Sequence, residues 1–269
     1  MVVRAGVVGH PITHSLSPAL HGRWLERYGL DGTYEAVPCA PGGFAAKVAA
    51  LREAGWAGVN VTLPFKAEAL ALADEADAVA RRVGAANTLA FEEGRVVASN
   101  TDAPSFEGAL RAHARALPES ALVLGAGGTA PAVLAALSGM GVRELRLSNR
   151  TRESAETLAE RFDAVVVPWE GRDEAADVSL LVNATSLGLP GGPPLKIYLE
   201  GLPAHAVVAD CVYVRGATTP LVAAARARGL AALDGLPMLV RQAVPGFAAW
   251  YGRTPDDLAD AEAYLRALP

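Results

Sequence analysis

The chain has 269 residues, of which 51% are hydrophobic and 20% are charged, a composition that suits one large or two ordinary folded domains and excludes a disordered chain. Its formal net charge is −5 and it contains no run of lysine or arginine, so we expect no nucleic-acid partner. The two cysteines, Cys39 and Cys211, and the lack of a secretory leader predict a protein of the reducing cytoplasm.

Apolar runs alternate with helical patterns in about the first hundred residues. This alternation predicts an α/β fold with a mostly parallel sheet and helices on both faces. Ser17 is the expected N-cap of the first helix, with Pro18 at its first position. The expected strands are 2–9, 33–38 and 58–62, the expected helices are 17–28, 43–54 and about 64–83, and a hairpin pairs 87–91 with 95–100.

The hairpin has an expected register. If Phe91 lies opposite Val96, then Asn87 lies opposite Asn100, close to Asp102. The hairpin therefore brings two polar strand ends together.

A second α/β unit follows a helix expected at about 104–117. The stretch 121–142 is uncharged and long enough to span a bilayer, but its glycines and Pro131 favour a strand, a turn and a packed helix, so no membrane partner is expected. The glycines and prolines of 184–196 predict an irregular loop, and Thr254-Pro255 predicts a helix start. The expected strands are 121–124, 143–148, 164–167, 178–182, 206–210 and 230–233, and the expected helices are 129–139, 152–162, 219–228, 237–251 and 255–267.

A glycine-rich turn separates the strand 121–124 from the next helix. Gly125-Ala126-Gly127-Gly128-Thr129-Ala130 matches the pattern G-x-G-x-x-A in its required strand–helix context. Gly125 permits the tight turn, Gly127 lets a pyrophosphate approach the backbone, and Ala130 lets the helix pack on the strand. The pattern predicts a dinucleotide site.

The end of the following strand favours NADP over NAD. NAD sites place an Asp or Glu about 20 residues after the fingerprint, to bind the ribose hydroxyls. Here Asn149, Arg150, Thr151 and Arg152 follow the strand, and guanidinium groups suit a 2′-phosphate. We therefore expect NADP, with these four residues around its phosphate. For Arg152 alone, a solvated place in the first helical turn is the alternative.

Lys66 and Asp102 are candidates for proton transfer. Only Lys47, Lys66 and Lys196 are lysines among 24 basic residues, so each is a candidate for a role that arginine cannot fill. Lys66 lies in a first helical turn, where its charge opposes the helix dipole. A lysine held by a carboxylate can supply the proton that an alkoxide needs after hydride transfer to a ketone. An ordinary strand-end salt bridge is the alternative.

Ser15 and Ser17 lie at the start of the first helix. As a hydroxyl pair they could hold a carboxylate, although they could also be only a turn residue and an N-cap. His10, His14 and His21 match no familiar zinc spacing, and no cysteine or acid is close in sequence, so no metal is expected.

Together these segments resemble the shikimate dehydrogenase family over nearly the whole chain, and the motifs keep their order. The Asn-Val-Thr-x-Pro-Phe-Lys element is quite specific to this family, and the combined match of all the motifs is more specific still. The motifs are Gly9-His-Pro-Ile-Thr-His-Ser15-Leu-Ser17-Pro18, Asn60-Val-Thr62-Leu-Pro-Phe-Lys66, Gly84-Ala-Ala-Asn87-Thr-Leu89, Asn100-Thr-Asp102, Gly125-Ala-Gly-Gly-Thr-Ala130, Asn149-Arg-Thr151, Asn183-Ala-Thr-Ser186, Val212-Tyr213 and Gly235-Leu-Pro-Met-Leu-Val-Arg-Gln242.

The resemblance implies the reversible reduction of 3-dehydroshikimate by NADPH to shikimate, in the pathway to chorismate and the aromatic amino acids. It implies two domains: a substrate domain of residues 1–102 and 238–269, and an inserted Rossmann-type NADP domain of residues 103–237. A monomer or a homodimer is expected.

The resemblance also implies residue roles. Lys66 and Asp102 look like the catalytic pair at the carbonyl, and Ser15 and Ser17 look like ligands of the substrate carboxylate. The ring hydroxyls or the carboxylate are expected to contact Thr62, Asn87 and Gln242, with Asn60 and Tyr213 in support. The cofactor is expected to contact the glycine turn, Asn149, Arg150, Thr151, Arg152, Thr185, Gly235 and Met238.

Three alternatives remain at this point. A quinate/shikimate dehydrogenase has a looser substrate preference and often uses NAD, which Arg150 disfavours. A folate-linked dehydrogenase would need an aromatic-lined slot that the sequence does not show. A non-catalytic NADP sensor would not need Lys66 and Asp102. Departures from the family pattern at 103–104, Pro237 and 214–220 fall on the hinge and the nicotinamide side.

Overall fold

The computed structural model describes residues 2–114 and 116–268. The chain forms two compact units. The first contains the described residues up to Asp102 together with Leu239–Leu265, and the second contains Ala103–Met238 and the short segment that begins at Arg266.

The first unit is built on a six-stranded sheet with the strand order β2-β1-β3-β5-β6-β4. β1 pairs in parallel with β2 and β3, while β5 runs antiparallel to β3 and β6. The antiparallel direction of β5 places its start at the sheet edge where β1, β3 and β6 end. The strands are β1 (Val3–Gly9), β2 (Gly32–Pro38), β3 (Gly58–Val61), β4 (Glu75–Ala76), β5 (Thr88–Glu92) and β6 (Arg95–Ser99).

The helices of the first unit cover this sheet with apolar side chains. Phe44 and Phe65 stack with their ring centroids 4.9 Å apart within one buried cluster, which also contains Trp56 and Leu89. The helices are α1 (Ser17–Tyr28), α2 (Phe44–Glu53), α3 (Lys66–Ala71), α4 (Ala78–Val83) and most of α9 (Leu236–Tyr251) and α10 (Leu258–Ala267).

The long helix expected over 64–83 is wrong, because β4 separates α3 from α4. The carboxylate of Asp74 accepts a hydrogen bond from the backbone N–H of Val96 (2.7 Å), so the chain joins the sheet beside β6. The Asp77 side chain then accepts from the backbone N–H of Ala80 (2.6 Å) and caps a new helix. Two aspartates thus end one helix and start another.

Two expected helix starts also differ from the structure. Ser17 is the first residue of α1 rather than its N-cap, and its N–H donates to the hydroxyl of Ser15 (3.2 Å). The last helix starts at Leu258 rather than at Thr254-Pro255. Asp257 accounts for this shift, because its carboxylate accepts from the Trp24 indole (2.9 Å) and pairs with an arginine of α1.

The second unit contains a fully parallel six-stranded sheet with the order β12-β11-β10-β7-β8-β9. The first three strands extend to one side of β7 and the last two to the other, which is the order of a Rossmann fold. The strands are β7 (Ser120–Leu124), β8 (Glu144–Ser148), β9 (Val165–Val167), β10 (Leu180–Asn183), β11 (Val207–Asp210) and β12 (Ala231–Leu233); the helices are α5 (Asp102–His113), α6 (Ala130–Gly139), α7 (Arg152–Phe162) and α8 (Pro220–Ala227).

The apolar stretch 121–142 forms β7, the glycine turn and α6, as expected. Among the described residues, no helix combines the length and the hydrophobicity needed to cross a bilayer. The helix expected over 104–117 starts earlier, at Asp102, because the Asn100 side chain accepts the N–H of Asp102 (3.1 Å). That expected helix includes residue 115, which lies outside the described residues.

The division of the chain differs from the expected one at two places. Met238 belongs to the second unit, where it lines a small cavity with Phe106 and Gly235. Arg266 also belongs to the second unit, because its guanidinium donates to both carboxylate oxygens of Asp234 (2.6 and 2.9 Å).

Candidate functional site

Lys66 and Asp102 form a buried ion pair in the first unit. Lys66 is the first residue of α3, the next element after β3, and Asp102 follows β6. The Lys66 ammonium donates to Asp102 Oδ2 at 2.7 Å. The two side chains are only 12% and 7% exposed. The expected proximity of these residues is confirmed, and the sheet topology explains it, since β3 and β6 end at the same edge.

Asn87 is the centre of the polar cluster around this ion pair. Phe91 pairs with Val96 as predicted, so the start of β5 lies beside the end of β6. The Asn87 amide donates to Asp102 Oδ1 (3.0 Å), while its own oxygen accepts the N–H of Thr101 (2.8 Å). The Asp102 carboxylate is therefore held by an ammonium on one oxygen and an amide on the other.

Gln242 joins this cluster from α9, far along the chain. Its Oε1 lies 3.3 Å from the Asn87 amide nitrogen, and its backbone carbonyl accepts the Thr101 hydroxyl (2.8 Å). The Gln242 amide nitrogen donates to the backbone of Leu239 (3.0 Å). The structure thus brings together four of the residues singled out from the sequence: Lys66, Asn87, Asp102 and Gln242.

Asn60 lies on β3 next to this cluster and is also buried. Its amide nitrogen donates to the hydroxyl of Thr88 (3.0 Å) and approaches the backbone carbonyl of Asn87 (3.3 Å). Its oxygen accepts the hydroxyl of Tyr34 at 2.6 Å. Sequence reasoning missed Tyr34, because an aromatic residue in a strand usually signals only core packing. It also missed Thr101, although Thr101 stands inside the Asn100-Thr-Asp102 motif.

Ser15, Ser17 and Thr62 stand at the ends of neighbouring segments of the same unit. Ser15 and Thr62 are half-buried and Ser17 is buried. The Ser15 hydroxyl accepts the N–H of Ser17, so the two hydroxyls lie at the start of α1. Thr62 directly follows β3. Its methyl group packs against Gly9, and a Cβ added to Gly9 would lie only 2.4 Å from that methyl group.

His21 is completely buried on α1, whereas His10 and His14 are exposed. The His21 ring stacks on that of Tyr34, with the centroids 3.7 Å apart and the planes 11° from parallel. Neither ring nitrogen has a hydrogen-bond partner within the described parts of the chain. Burial lowers the pKa of His21 to about 3, so the imidazole is neutral at pH 7.

The glycine turn of the second unit lies between β7 and α6. Gly125 has φ +103°, and a Cβ there would lie 2.8 Å from the Thr185 methyl group and 3.0 Å from the carbonyl of Ala184, so only glycine fits. A Cβ on Gly127 would meet nothing within 4 Å, which leaves the space before the helix open. Among the described residues, the N–H groups of Gly127 and Gly128 reach no backbone acceptor.

Asn149 connects this turn to the end of β8. Its side-chain oxygen accepts the N–H of Ala126 (3.1 Å), and its amide donates to the carbonyl of Thr151 (2.8 Å). Arg150 and Arg152 are both exposed, and Arg152 pairs with Glu156 one turn later in α7 (2.7 Å). The pairing favours the solvated interpretation of Arg152 and leaves Arg150 as the better candidate for a 2′-phosphate.

Thr185 and Gly235 belong to other strand ends of the second sheet. The Thr185 hydroxyl donates to the side chain of Asn183 (2.6 Å), and a Cβ on Gly235 would lie 2.4 Å from the carbonyl of Cys211. Tyr213, two residues after Cys211, is half-buried.

Asn183 also donates to Asp210 (2.8 Å), and burial raises the pKa of that carboxyl. These bonds shape the loops in which Thr185, Tyr213 and Gly235 lie.

The second unit fits a dinucleotide. Gly125 makes the sharp turn, Gly127 leaves room for a phosphate, and backbone amides with no backbone acceptor among the described residues precede α6, whose N-terminus favours negative charge. The turn follows the strand at which the sheet order changes direction, where open α/β sheets bind their ligands.

Two family models match the chain. One, described as the shikimate dehydrogenase substrate binding domain, matches residues 7–89, and the other, described as shikimate / quinate 5-dehydrogenase, matches residues 109–186. A curated relative, shikimate dehydrogenase (NADP(+)) of Acidiphilium cryptum, is 52% identical over 253 residues, which cover 93% of this chain and 91% of the relative. The same enzyme of Mesorhizobium japonicum is 47% identical over 269 residues, 98% of this chain and 96% of the relative.

Solved structures resemble both units. The structure of shikimate 5-dehydrogenase from Thermus thermophilus, in complex with NADP(H) and shikimate, has a TM-score of 0.87 and 41% identity, and the match covers 98% of this chain and 99% of that one. Quinate dehydrogenase from Corynebacterium glutamicum, in complex with NAD, has a TM-score of 0.90 and 28% identity, with 99% of each chain covered.

Proposed function

The chain belongs to the shikimate dehydrogenase family, and we propose that it catalyses the reversible reduction of 3-dehydroshikimate to shikimate with NADPH. The observation that carries this proposal is the buried Lys66–Asp102 pair, joined to Asn87 at the polar edge of the first sheet. Such a pair suits a reaction in which a carbonyl oxygen gains a proton.

Lys66 and Asp102 divide the proton chemistry between them. Bound NADPH supplies the hydride. The Lys66 ammonium donates a proton to the carbonyl oxygen, and in the reverse direction the neutral amine accepts it. Asp102 holds the ammonium in place through Oδ2, while Asn87 prevents the carboxylate from turning away. An arginine in place of Lys66 could not release a proton.

The remaining polar residues of the first unit are proposed to select the substrate. Ser15 and Ser17 bind its carboxylate, and Asn60, Thr62, Asn87 and Gln242 bind its ring hydroxyls or carboxylate, with Tyr213 in support. A ligand rich in hydroxyls needs several fixed hydrogen bonds, because each missing partner leaves a buried polar group unpaired.

The second unit is proposed to bind NADP. The turn Gly125–Ala130 holds the pyrophosphate, and Arg150 with Asn149 and Thr151 surrounds the 2′-phosphate. Thr185 contacts the cofactor, and Gly235 and Met238 lie beside the nicotinamide. The proposal also places the enzyme in the cytoplasm, as a monomer or a homodimer that acts on small molecules.

The purified protein tests this function directly. Absorbance of the reduced nicotinamide is followed with shikimate or quinate as substrate and with NADP or NAD as acceptor. We expect the highest kcat/KM for shikimate with NADP. A higher kcat/KM for quinate with NAD would assign the protein to quinate dehydrogenases. Binding of NADP without turnover of any substrate would favour a sensor.

A further inference from the structure

We propose that Tyr34 is a positioning residue of the substrate site, which orients Asn60 through the hydrogen bond from its hydroxyl to Asn60 Oδ1. This inference rests on the proposed function, in which Asn60 contacts the substrate. It adds a residue that lies outside the motifs recognised in the sequence.

The hydrogen bonds of Asn60 leave one position for a substrate hydroxyl. Its two amide hydrogens are directed to the Thr88 hydroxyl (3.0 Å) and the Asn87 carbonyl (3.3 Å). Its oxygen accepts from Tyr34, which is the one donor to that atom among the described residues. An amide oxygen has two lone pairs, so the second can accept a hydroxyl of the substrate. The Asn87 carbonyl, which can only accept, identifies the amide nitrogen, and the bond from Tyr34 to the oxygen fixes the plane of the amide.

Tyr34 is itself held firmly. It is 8% exposed, and its ring stacks on the neutral imidazole of His21 at 3.7 Å. Trp250 packs at 6.1 Å from its ring, centroid to centroid. A phenol fixed by packing delivers its hydroxyl to a single place, at little further cost in side-chain entropy.

The Tyr34 hydroxyl stays protonated while it donates to Asn60. Burial raises the pKa of Tyr34 well above its ordinary value, so the hydroxyl keeps its proton throughout the working pH range.

The variant Tyr34→Phe removes this hydroxyl and retains the stacked ring. We expect the KM for shikimate to rise about five- to tenfold, in line with the loss of one buried hydrogen bond, while kcat and the KM for NADP change less than about twofold. Tyr251→Phe is the matched control, because it removes a phenol hydroxyl of the same unit that donates to the backbone carbonyl of Thr33 (2.7 Å). The control is expected to leave the KM for shikimate unchanged.

A double-mutant cycle separates positioning from a merely structural role. In an Asn60→Ala background, Tyr34→Phe is expected to change the KM for shikimate less than about twofold, because its effect passes through Asn60. An equal rise in KM in both backgrounds overturns the inference, as does an unchanged KM in the single variant. Failure of Tyr34→Phe to fold, when Tyr251→Phe folds, also overturns it by assigning the hydroxyl to stability. Lack of shikimate turnover by the wild type would instead refute the proposed function.

Discussion

The candidate sites of the two units are built from different kinds of groups. In the first unit, the candidate site consists of side chains that bond one another, such as Lys66, Asn87 and Asp102, and most of them are buried. In the second unit, the candidate site consists largely of backbone: a glycine turn, the start of a helix and exposed arginines after β8. A hydroxylated ring requires side chains at fixed angles, whereas phosphates are satisfied by amide groups and positive charge.

The largest expected effect tests the side-chain network of the first unit. Lys66→Ala should lower kcat by a factor of about 10²–10⁴, the usual loss of a general acid–base, with a much smaller change in the KM for shikimate. Steady-state kinetics at the nicotinamide band measure both. Lys47→Ala, which removes a lysine of α2, should match the wild type. A folded Lys66→Ala enzyme with near-normal kcat would remove Lys66 from the chemistry.

Arg150→Ala tests the charged part of the second site. We expect the KM for NADP to rise about 10- to 100-fold and the KM for NAD to change little, since a hydrogen bond to a charged group contributes about 1.5–3 kcal/mol. Arg152→Ala is the comparison, and its effect should be smaller because Arg152 pairs with Glu156. Equal losses for both cofactors in Arg150→Ala would contradict the phosphate assignment.

His21 provides a test of burial alone. Its pKa is about 3 in the native protein, against an ordinary value of 6.5, so the unfolded state binds more protons between these pH values. The contribution of the neutral His21 to the free energy of unfolding is therefore fully present above about pH 6.5 and is lost as the pH falls towards 3. Linkage predicts that the wild type loses about 2 kcal/mol more than His21→Leu between about pH 7 and about pH 5.

Denaturant unfolding at several pH values measures this difference. Leu25→Ala, on the same helix, is the control: it should lower stability at every pH without changing the pH slope, because it removes no titrating group. Parallel pH slopes for the wild type and His21→Leu would show that the imidazole becomes protonated in the native state.

The smallest expected effect tests the backbone of the glycine turn. Gly127→Ala adds a Cβ that meets no protein atom, so the free energy of unfolding should not fall, while the KM for NADP rises about tenfold because the methyl group occupies the phosphate's space. Gly125→Ala is the contrasting variant and should also destabilise the fold by about 1–3 kcal/mol, since its φ is +103°. A normal KM for NADP in Gly127→Ala would place the phosphate elsewhere.

Local patterns predicted much of both sites. The glycine turn lies between a strand and a helix as expected, and the hairpin register placed Asn87 beside Asp102. The helix expected over 64–83 failed, because Asp74 accepts the N–H of Val96 in β6 and Asp77 caps a new helix at Ala80. Propensity describes neighbours along the chain, whereas the contact of Asp74 reaches a separate strand of the sheet.

The sequence by itself determined the two α/β units, the strand–turn–helix context of the glycines and the hairpin that places Asn87 beside Asp102, because each depends on short spacings. Only the tertiary structure decided that Gln242 approaches Asn87, that the last helix begins after Asp257 and that Tyr34 donates a hydrogen bond to Asn60. These contacts join residues far apart in the chain. Their partners are chosen by the packing of helices and strands around a common core, which no local pattern encodes.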